Sequence, residues 1–517
     1  MAVLSIDAGT TGVTAVVVDR AGRVVAQGYS EFEQHFVQLA WVEHDPEQIW
    51  QATLIAVRSA LAEQANTFGN SGTAENAEIE AIGITNHRET VAFWRRDDLS
   101  APRNAIVWQD RRTSSIVDEL RARPGGLEAR VREITGLGLD PYFSSTKLMW
   151  VARNEPSVWA GVIAGEVAVG TIDSYLIARL TGGQVHVTDA SNASRTQLLD
   201  IHSGHWSPEL LELFGVPESA LPKVVPSSGK VGAVTCAELP ELAGVAIAGI
   251  AGDQQAALFG HGAFDAGDTK CTYGTGAFIL QNTGQTAVAS TSGLLTTIAW
   301  MLPDEYTTGA TSTTATATGS KITYALEGSV FIAGAAVQWL RDGLQIIESA
   351  AALNPLAEAA GENGGVAFVP AFTGLGAPHW QPEARGALLG LTRATSRGNI
   401  AQATLEAIAF QVRQVFDLFG AEAGLSCNLL AVDGGASAND RLMQLQADAL
   451  ATKILRNHTA QVTALGAAYL AGLGVGVWGL LEEIKTLSQI DCEFDPTDFD
   501  QTLYERWCRA LELVRHF

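Results

Sequence analysis

Cysteine is scarce in this chain of 517 residues. The five that occur are Cys236, Cys271, Cys427, Cys492 and Cys508. They are scattered, odd in number and include no Cys-x-x-Cys pair, which argues against a disulfide framework and against a structural zinc site. This usage is typical of a reducing compartment, so we expect a cytoplasmic protein.

Positive charge is also in short supply. The chain has 33 Lys and Arg against 56 Asp and Glu, which gives a formal net charge of −23. Such a surface repels nucleic acid and anionic membranes, so we expect neither as a partner. It would repel ATP as well. A nucleotide site in this chain must therefore offer backbone N–H donors and use a divalent cation.

Familiar phosphate-binding and targeting signals are missing. No G-x-x-x-x-G-K-[S/T] loop occurs, because Gly229-Lys230 is followed by Val231, and there is no H-R-D catalytic loop. The first residues contain neither a basic region nor a long apolar run, so we expect no signal peptide.

One uncharged segment, 459–481, is long enough to span a bilayer. It contains five glycines and has no flanking Lys/Arg cluster, and its run Ala464–Ala471 is typical of a helix built from small residues. We predict a buried helix in tight contact with a sheet, and no membrane insertion. The GxGxxG match at Gly474–Gly479 follows this helix rather than a strand, so it does not predict a dinucleotide site.

The length favours two domains, because a single hydrophobic core stops growing at roughly 250–300 residues. The pattern predicts strands at 3–6, 14–19, 24–26 and 79–85, with glycine turns between the first three and a helix over 46–64. The same strand, Gly/Thr turn and strand return at 269–281. We therefore predict a duplicated α/β fold with one domain over 1–260 and another over 261–517. The Thr-rich stretch 307–318 is predicted to be an exposed loop.

Four short constellations carry the candidate chemistry. They are Asp7-Ala-Gly-Thr-Thr-Gly12, Gly252-Asp-Gln-Gln255, Tyr273-Gly-Thr-Gly276, and Asp433-Gly-Gly-Ala436 followed by Asn439. Glycines allow a ligand to approach the backbone closely, and N–H groups at such turns form anion-binding nests. A strand-end carboxylate can hold Mg²⁺ together with phosphate oxygens. Taken alone, the first turn is better explained as a structural hairpin, because Gly-Thr turns are common. The whole set in this order is much more specific and indicates a nucleotide cleft.

With these motifs the chain resembles the FGGY family of carbohydrate kinases, in the actin/hexokinase/Hsp70 superfamily, essentially from end to end. The segments that carry the resemblance are Trp41–Pro46, Thr85–Thr90, Ala105–Gln109, Asp140–Ser144, Asn192–Thr196, Gly249–Gln255, Phe372–Pro378 and Val432–Gly435, with two family signatures at Tyr142–Asn154 and Gly386–Glu406. The resemblance implies an α/β fold of two actin-like (ribonuclease H-like) domains with a central cleft. It is strongest to members that use ATP to phosphorylate glycerol, which implies sn-glycerol 3-phosphate as product.

The resemblance also implies roles for individual residues. Asp253 would be the general base, since a neutral alcohol must lose its proton as the O–P bond forms. The polyol would be held by Arg88, Glu89, Asp253 and Gln254 and walled by Trp108, Tyr142 and Phe278. ATP would be contacted by Thr10, Thr11, Gly12, Thr275, Gly334, Gln338, Gly435 and Asn439, and Mg²⁺ by Asp7 and Asp253.

Other interpretations stay open at this point. Trp108 and Tyr142 would also suit a hydrophobic core, Arg88-Glu89 a solvated surface pair, and Gln338 a plain surface position. A family kinase that acts on another short polyol or ketose is the first alternative function. The second is a nucleotide-driven binding protein of the Hsp70 or actin kind, which would lack the Arg-Glu pair.

The chain departs from the family pattern in its first turn. Ala8, Gly12-Val13 and Thr14 stand where members acting on glycerol usually carry Gln, Ser-Ser and Arg, and His87 stands where Gln is usual. Without this Arg, the sequence does not indicate how the first turn would contact phosphate. Between 228 and 245 there is no Gly-Gly-basic loop of the kind that binds a sugar bisphosphate in some relatives, so we expect no such regulation. The resemblance suggests a homodimer or homotetramer without indicating which.

Overall fold

The computed structural model describes residues 1–69, 78–308, 319–427 and 429–517. Its strands are β1 Ala2–Ala8, β2 Gly12–Asp19, β3 Val24–Glu31, β4 Gln34–Gln38, β5 Trp41–His44, β6 Ile79–Asn86, β7 Ala92–Arg95, β8 Ala105–Ile106, β9 Val167–Gly170, β10 Val187–Asp189, β11 Leu199–Asp200, β12 His205–Trp206, β13 Lys223–Val225, β14 Ser228–Ala233, β15 Ala246–Gly252, β16 Thr269–Tyr273, β17 Ala277–Gly284, β18 Leu295–Pro303, β19 Ser320–Val330, β20 Ala367–Val369, β21 Ala387–Leu389, β22 Leu429–Asp433, β23 Lys453–Asn457 and β24 Ile490–Phe494.

The helices are α1 Pro46–Gly69, α2 Ser114–Arg121, α3 Leu127–Thr135, α4 Ser144–Asn154, α5 Pro156–Ile163, α6 Ile172–Leu180, α7 Ala190–Ser194, α8 Pro208–Phe214, α9 Asp253–Gly260, α10 Glu305–Thr308, α11 Gly334–Gln338, α12 Leu353–Ala360, α13 Arg397–Ala423, α14 Asp440–Leu450, α15 Val462–Val475, α16 Leu481–Lys485 and α17 Gln501–Arg515. Pro46 begins α1, where its missing N–H costs no helical hydrogen bond.

Two large mixed sheets form the two halves of the molecule. The first has the order β14-β15-β6-β1-β2-β3 and the second β18-β19-β17-β16-β22-β23-β24. In the first, β1, β2 and β3 are an antiparallel meander, with β6 parallel to β1 and β15 parallel to β6. In the second, β16, β17 and β19 repeat the meander, and β22 and β23 repeat the parallel strands. This repeat confirms the predicted duplicated α/β fold with two actin-like halves.

Helix α15 joins the two halves and is the buried small-residue helix that the sequence predicts. A Cβ on Gly83 of β6 would lie 2.1 Å from the Ala467 carbonyl oxygen, and one on Gly466 would lie 1.8 Å from the Ala256 oxygen of α9. The helix therefore touches the first sheet and α9 backbone to backbone, although in sequence it lies between β23 and β24 of the second sheet. Among the described residues, no helix has both the length and the apolar character needed to cross a bilayer.

Two sequence predictions keep their standing as predictions. Most of the Thr-rich stretch, residues 309–318, falls outside the described residues. The domain boundary near residue 260 stays a prediction.

Candidate active site

The first glycine turn joins β1 to β2, and Asp7 lies just before it in the penultimate position of β1. Burial, and then the nearby charge of Asp253, raise the pKa of the Asp7 carboxyl to about 7. Thr10 Oγ1 accepts a hydrogen bond of 3.0 Å from Trp108 Nε1, and Thr11 is exposed. Gly12 is buried, and a Cβ there would lie 2.7 Å from the Ser30 carbonyl oxygen of β3. Gly12 is thus required by strand packing, whatever else it contacts.

Arg88 and Glu89 follow the end of β6 and are both buried, so they are not a solvated surface pair. Arg88 Nε lies 3.2 Å from Asp253 Oδ1, and its Nη2 donates to the Tyr142 hydroxyl over 3.4 Å. Glu89 adopts a positive φ of 62°, which is uncommon outside glycine. Burial raises the pKa of Glu89 and outweighs the opposing charges of Arg88 and Arg195.

Two further charged residues complete this cluster, and the sequence analysis did not assign them to the site. Glu327 of β19 binds Arg88 through both oxygens, at 2.6 and 3.0 Å, and also accepts from Arg195 Nη2 over 3.0 Å. Arg195 Nε donates to Glu89 Oε1 over 2.7 Å. Burial alone would raise the pKa of Glu327, but the charges of Arg195 and Arg88 lower it to about 2. Glu327 lies in none of the motifs that the sequence analysis singled out, whereas Arg195 lies within the Asn192–Thr196 segment that carries the resemblance.

Asp253 and Gln254 form the first turn of α9, directly after β15. The Asp253 side chain is 28% exposed and accepts a hydrogen bond of 2.7 Å from the Gln254 backbone N–H. Gln254 is buried, and its side-chain oxygen accepts from Lys270 Nζ. Lys270 is a fully buried residue of β16 that the sequence analysis also missed. Arg88, Asp253 and Gln254 are therefore neighbours, as the resemblance implied.

Three aromatic rings meet beside these polar groups. Trp108 packs edge-on against Tyr142, with ring centroids 5.7 Å apart, and against Phe278, with centroids 6.3 Å apart. Tyr142 is buried, whereas Trp108 and Phe278 are partly exposed. Phe278 comes from β17 in the second half and the other two rings from the first half. The wall of the site therefore needs both halves.

The second glycine turn, Tyr273–Gly276, lies against two more glycine positions. Thr275 is exposed, and its carbonyl oxygen accepts from the Ala333 N–H over 2.8 Å. A Cβ on Gly334, at the start of α11, would lie 2.5 Å from the Gly274 oxygen, and one on Gly434 would lie 2.5 Å from the Tyr273 oxygen. The segments that carry Thr275, Gly334 and Gly435 are thus brought together around one turn.

The other predicted nucleotide-binding residues are Gly435, Asn439 and Gln338. Gly435 is exposed, and no atom lies within 4 Å of where its Cβ would be, which leaves room for a ligand. Asn439 caps α14, because its Oδ1 accepts from the Leu442 N–H over 3.0 Å. Gln338 is exposed at the end of α11. The geometry gives Asn439 a structural task and leaves Gln338 without a contact to the rest of the site.

The donor set for a metal consists of carboxylates only. Burial, and then the charge of Asp253, raise the pKa of Asp7, so the two carboxylates influence each other across the site. The described residues contain no group of three or more His, Cys, Asp or Glu side chains that would hold a metal by themselves. Asp7 and Asp253 therefore fit a Mg²⁺ ion whose remaining ligands come from phosphate and water.

Two halves that repeat the same meander, each with a glycine turn between its first two strands, form a duplicated α/β fold of the actin-like class. The family model described as the N-terminal domain of the FGGY family of carbohydrate kinases matches residues 2–260, and the corresponding C-terminal model matches residues 269–475. The chain belongs to the FGGY family of carbohydrate kinases.

The similar proteins cover almost the whole chain. A glycerol kinase from Alkalilimnicola ehrlichii is 49% identical over 92% of this chain and 91% of its own length. One from Bdellovibrio bacteriovorus is 46% identical over 99% of both. Among solved structures, Plasmodium falciparum glycerol kinase with ADP matches with a TM-score of 0.87 and 34% identity, covering 99% of this chain and 98% of that one. A xylulose kinase from Brucella ovis matches with a TM-score of 0.81 and 25% identity over 100% and 98%.

Proposed function

We propose that this enzyme transfers the γ-phosphoryl group of ATP to glycerol, giving sn-glycerol 3-phosphate and ADP. The observation that carries the proposal is a short polar floor, formed by Arg88 and Asp253, beside the aromatic wall of Trp108, Tyr142 and Phe278. Such a floor suits the hydroxyls of a three-carbon polyol and the wall suits its carbons. Relatives named glycerol kinase that match over nine-tenths or more of both chains support the same substrate.

Asp253 is the proposed general base. It is the partly exposed carboxylate of the charged cluster, and Arg88 Nε at 3.2 Å holds it in place. As the hydroxyl oxygen attacks the γ-phosphorus, the carboxylate accepts the hydroxyl proton and ADP leaves. The aromatic wall keeps water from competing with the polyol, which favours transfer over hydrolysis.

ATP and Mg²⁺ are the proposed partners of the glycine turns. Thr10, Thr11, Gly12 and Thr275 would contact phosphates, while Gly334, Gln338, Gly435 and Asn439 would contact the nucleoside. The open space above Gly435 supports this proposal. Mg²⁺, held by Asp7 and Asp253, would neutralise charge on the transferring phosphate.

Location and assembly are also part of the proposal. All five cysteines are free, which fits a cytoplasmic enzyme. A homodimer or homotetramer is proposed from the family resemblance, with the polyol and phosphate side in residues 1–260 and the nucleotide side in 261–517.

A substrate panel and one substitution test the proposed function. Purified enzyme with Mg-ATP should release ADP with glycerol at a kcat/KM at least tenfold above that with erythritol, xylulose or ribulose; a preference for a ketose would favour the family alternative. Asp253→Asn should lower kcat by about 10²–10⁴ while ADP binding stays within twofold. Asp265→Asn, at an exposed ion pair with Lys485, is the matched control. Retained transfer in Asp253→Asn would refute its role as the base.

A further inference from the structure

Lys270 is a charged residue that the proposed reaction leaves unexplained. It lies in β16 and is 0% exposed. Its Nζ donates to three oxygens: the side-chain oxygen of Gln254, Thr272 Oγ1 at 3.0 Å and the Phe278 carbonyl oxygen at 3.2 Å. An ammonium group has three donors and no acceptor, so these three contacts use its whole hydrogen-bonding capacity. Lys270 has no donor left for a ligand and can act only through its neighbours.

This contact fixes which end of the Gln254 amide is free. Burial lowers the pKa of Lys270, and the charges of Asp433 and Asp253 oppose that shift. As an ammonium Lys270 only donates, so the Gln254 atom that faces it is the oxygen. The NH₂ end then points elsewhere, and it makes no hydrogen bond to any of the residues that the structure describes. Without Lys270 the amide could turn over and present its oxygen instead. Gln254 is thereby held as a donor group.

The contact also joins the two halves of the site. Gln254 follows Asp253 at the start of α9, after the first sheet, whereas Lys270 belongs to the second sheet, three residues before the Tyr273–Gly276 turn. We propose that Lys270 is a positioning residue that holds Gln254 with its NH₂ toward a hydroxyl oxygen of the polyol. The inference rests on the proposed function, because Gln254 is a polyol contact only if the enzyme phosphorylates a polyol.

The first test is Lys270→Met in the full-length enzyme. If the Gln254 amide turns over, its NH₂ no longer meets the polyol hydroxyl, and leaving a buried polar group without its partner supports a loss of about ten- to a hundredfold in affinity. We expect the glycerol KM to rise by about tenfold or more, while the KM for ATP and the affinity for ADP stay within about twofold. Lys453→Met removes a lysine from an exposed ion pair with Glu493 and should leave all three values unchanged.

A double-substitution cycle separates positioning from a general effect on folding. Gln254→Ala should raise the glycerol KM, and adding Lys270→Met to it should raise that KM less than twofold further, since Lys270 acts through Gln254. An increase as large as in the wild-type background would overturn the inference. So would an unchanged glycerol KM in Lys270→Met.

Gln254→Glu decides the question if Lys270→Met does not fold. A carboxylate keeps an acceptor for Lys270, so the melting temperature should not fall, but it lacks the NH₂ donor. Equilibrium binding of glycerol should weaken about tenfold or more, and unchanged binding would overturn the inference. The wild-type enzyme is assayed first: if ADP release does not depend on glycerol, the proposed function fails, whereas failure of the cycle alone removes only the role of Lys270.

Discussion

Replacing Glu327 by Gln removes the carboxylate that joins the two halves at the buried end of the site. Glu327 is fully buried and binds Arg88 through both oxygens and Arg195 through one. The two guanidinium groups are balanced by Glu327 and Glu89, with Asp253 partly exposed beside them. Glu327→Gln therefore leaves a buried positive charge without its partner, and such losses cost about 3–5 kcal/mol.

That cost converts into a modest shift in melting temperature, because the chain is long. An unfolding entropy of about 2.1 cal/mol/K per residue gives roughly 1.1 kcal/mol/K for the whole chain, so we expect Tm to fall by about 3–5 °C if it melts as one unit. Glu327→Asp keeps the charge and should recover at least half of the loss. The matched control is Glu493→Gln, which breaks an exposed ion pair with Lys453 and should change Tm by less than about 1 °C.

Differential scanning calorimetry of the three variants at pH 7.5, with and without ADP, measures these shifts. If Glu327→Gln melts within 1 °C of wild type, Asp253 and Glu89 already balance both guanidinium groups and the reasoning about a buried bridge is wrong. If Glu327→Asp is as unstable as Glu327→Gln, geometry rather than charge decides the stability of the cluster.

Two more substitutions test the fold. Gly83→Ala places a methyl group 2.1 Å from the Ala467 oxygen and should lower the free energy of unfolding by about 2–3 kcal/mol. Gly420→Ala, in α13 with no atom within 4 Å of the new methyl group, should raise it by about 0.5–1 kcal/mol. Urea denaturation of both variants measures the two changes, and equal effects would contradict the close packing of α15. Burial, and then the charge of Arg96, lower the pKa of His186 from 6.5 to about 4, so the unfolded chain binds its proton more tightly and stability is lost as the pH falls below 6.5. The loss is about 2 kcal/mol at pH 5, and His186→Gln should reduce the fall in Tm between pH 7 and pH 5; an unchanged fall would show that this histidine is not responsible.

Local pattern was enough to predict the elements that repeat. The glycine turns after β1 and β16 lie between the strands that the pattern predicted, so the first meander and the first two strands of the second form where the pattern placed them. The third strand of the second meander, β19, was not predicted. The small residues of α15 likewise indicated a close approach, which Gly83 and Gly466 now account for. In each case the signal lies within some twenty residues of the feature that it predicts.

The charged floor of the site was harder to predict, because its partners are far apart in sequence. Arg88 and Glu327 are separated by 239 residues, and Arg195 and Glu327 by 132. Neither Glu327 of β19 nor Lys270 of β16 belongs to a sequence motif that assigns it a partner. A motif match also does not show which of its residues have structural roles. Gly12 is needed for strand packing, and Asn439 caps a helix.

The same cluster bears on how a chain with a net charge of −23 would accept ATP. The cations at the junction of the two halves are Arg88, Arg195 and Lys270, and the carboxylates around them are Asp7, Glu89, Asp253, Glu327 and Asp433, the last of which pairs with His261 at 2.8 Å. The three cations are largely taken up by these carboxylates and by Gln254. Since little positive charge remains for a triphosphate, phosphate binding would depend on the backbone N–H groups of the two glycine turns and on a divalent cation at Asp7 and Asp253. The buried cations would then hold the side chains of the polyol side in place, whereas the divalent cation bound with ATP would neutralise the triphosphate.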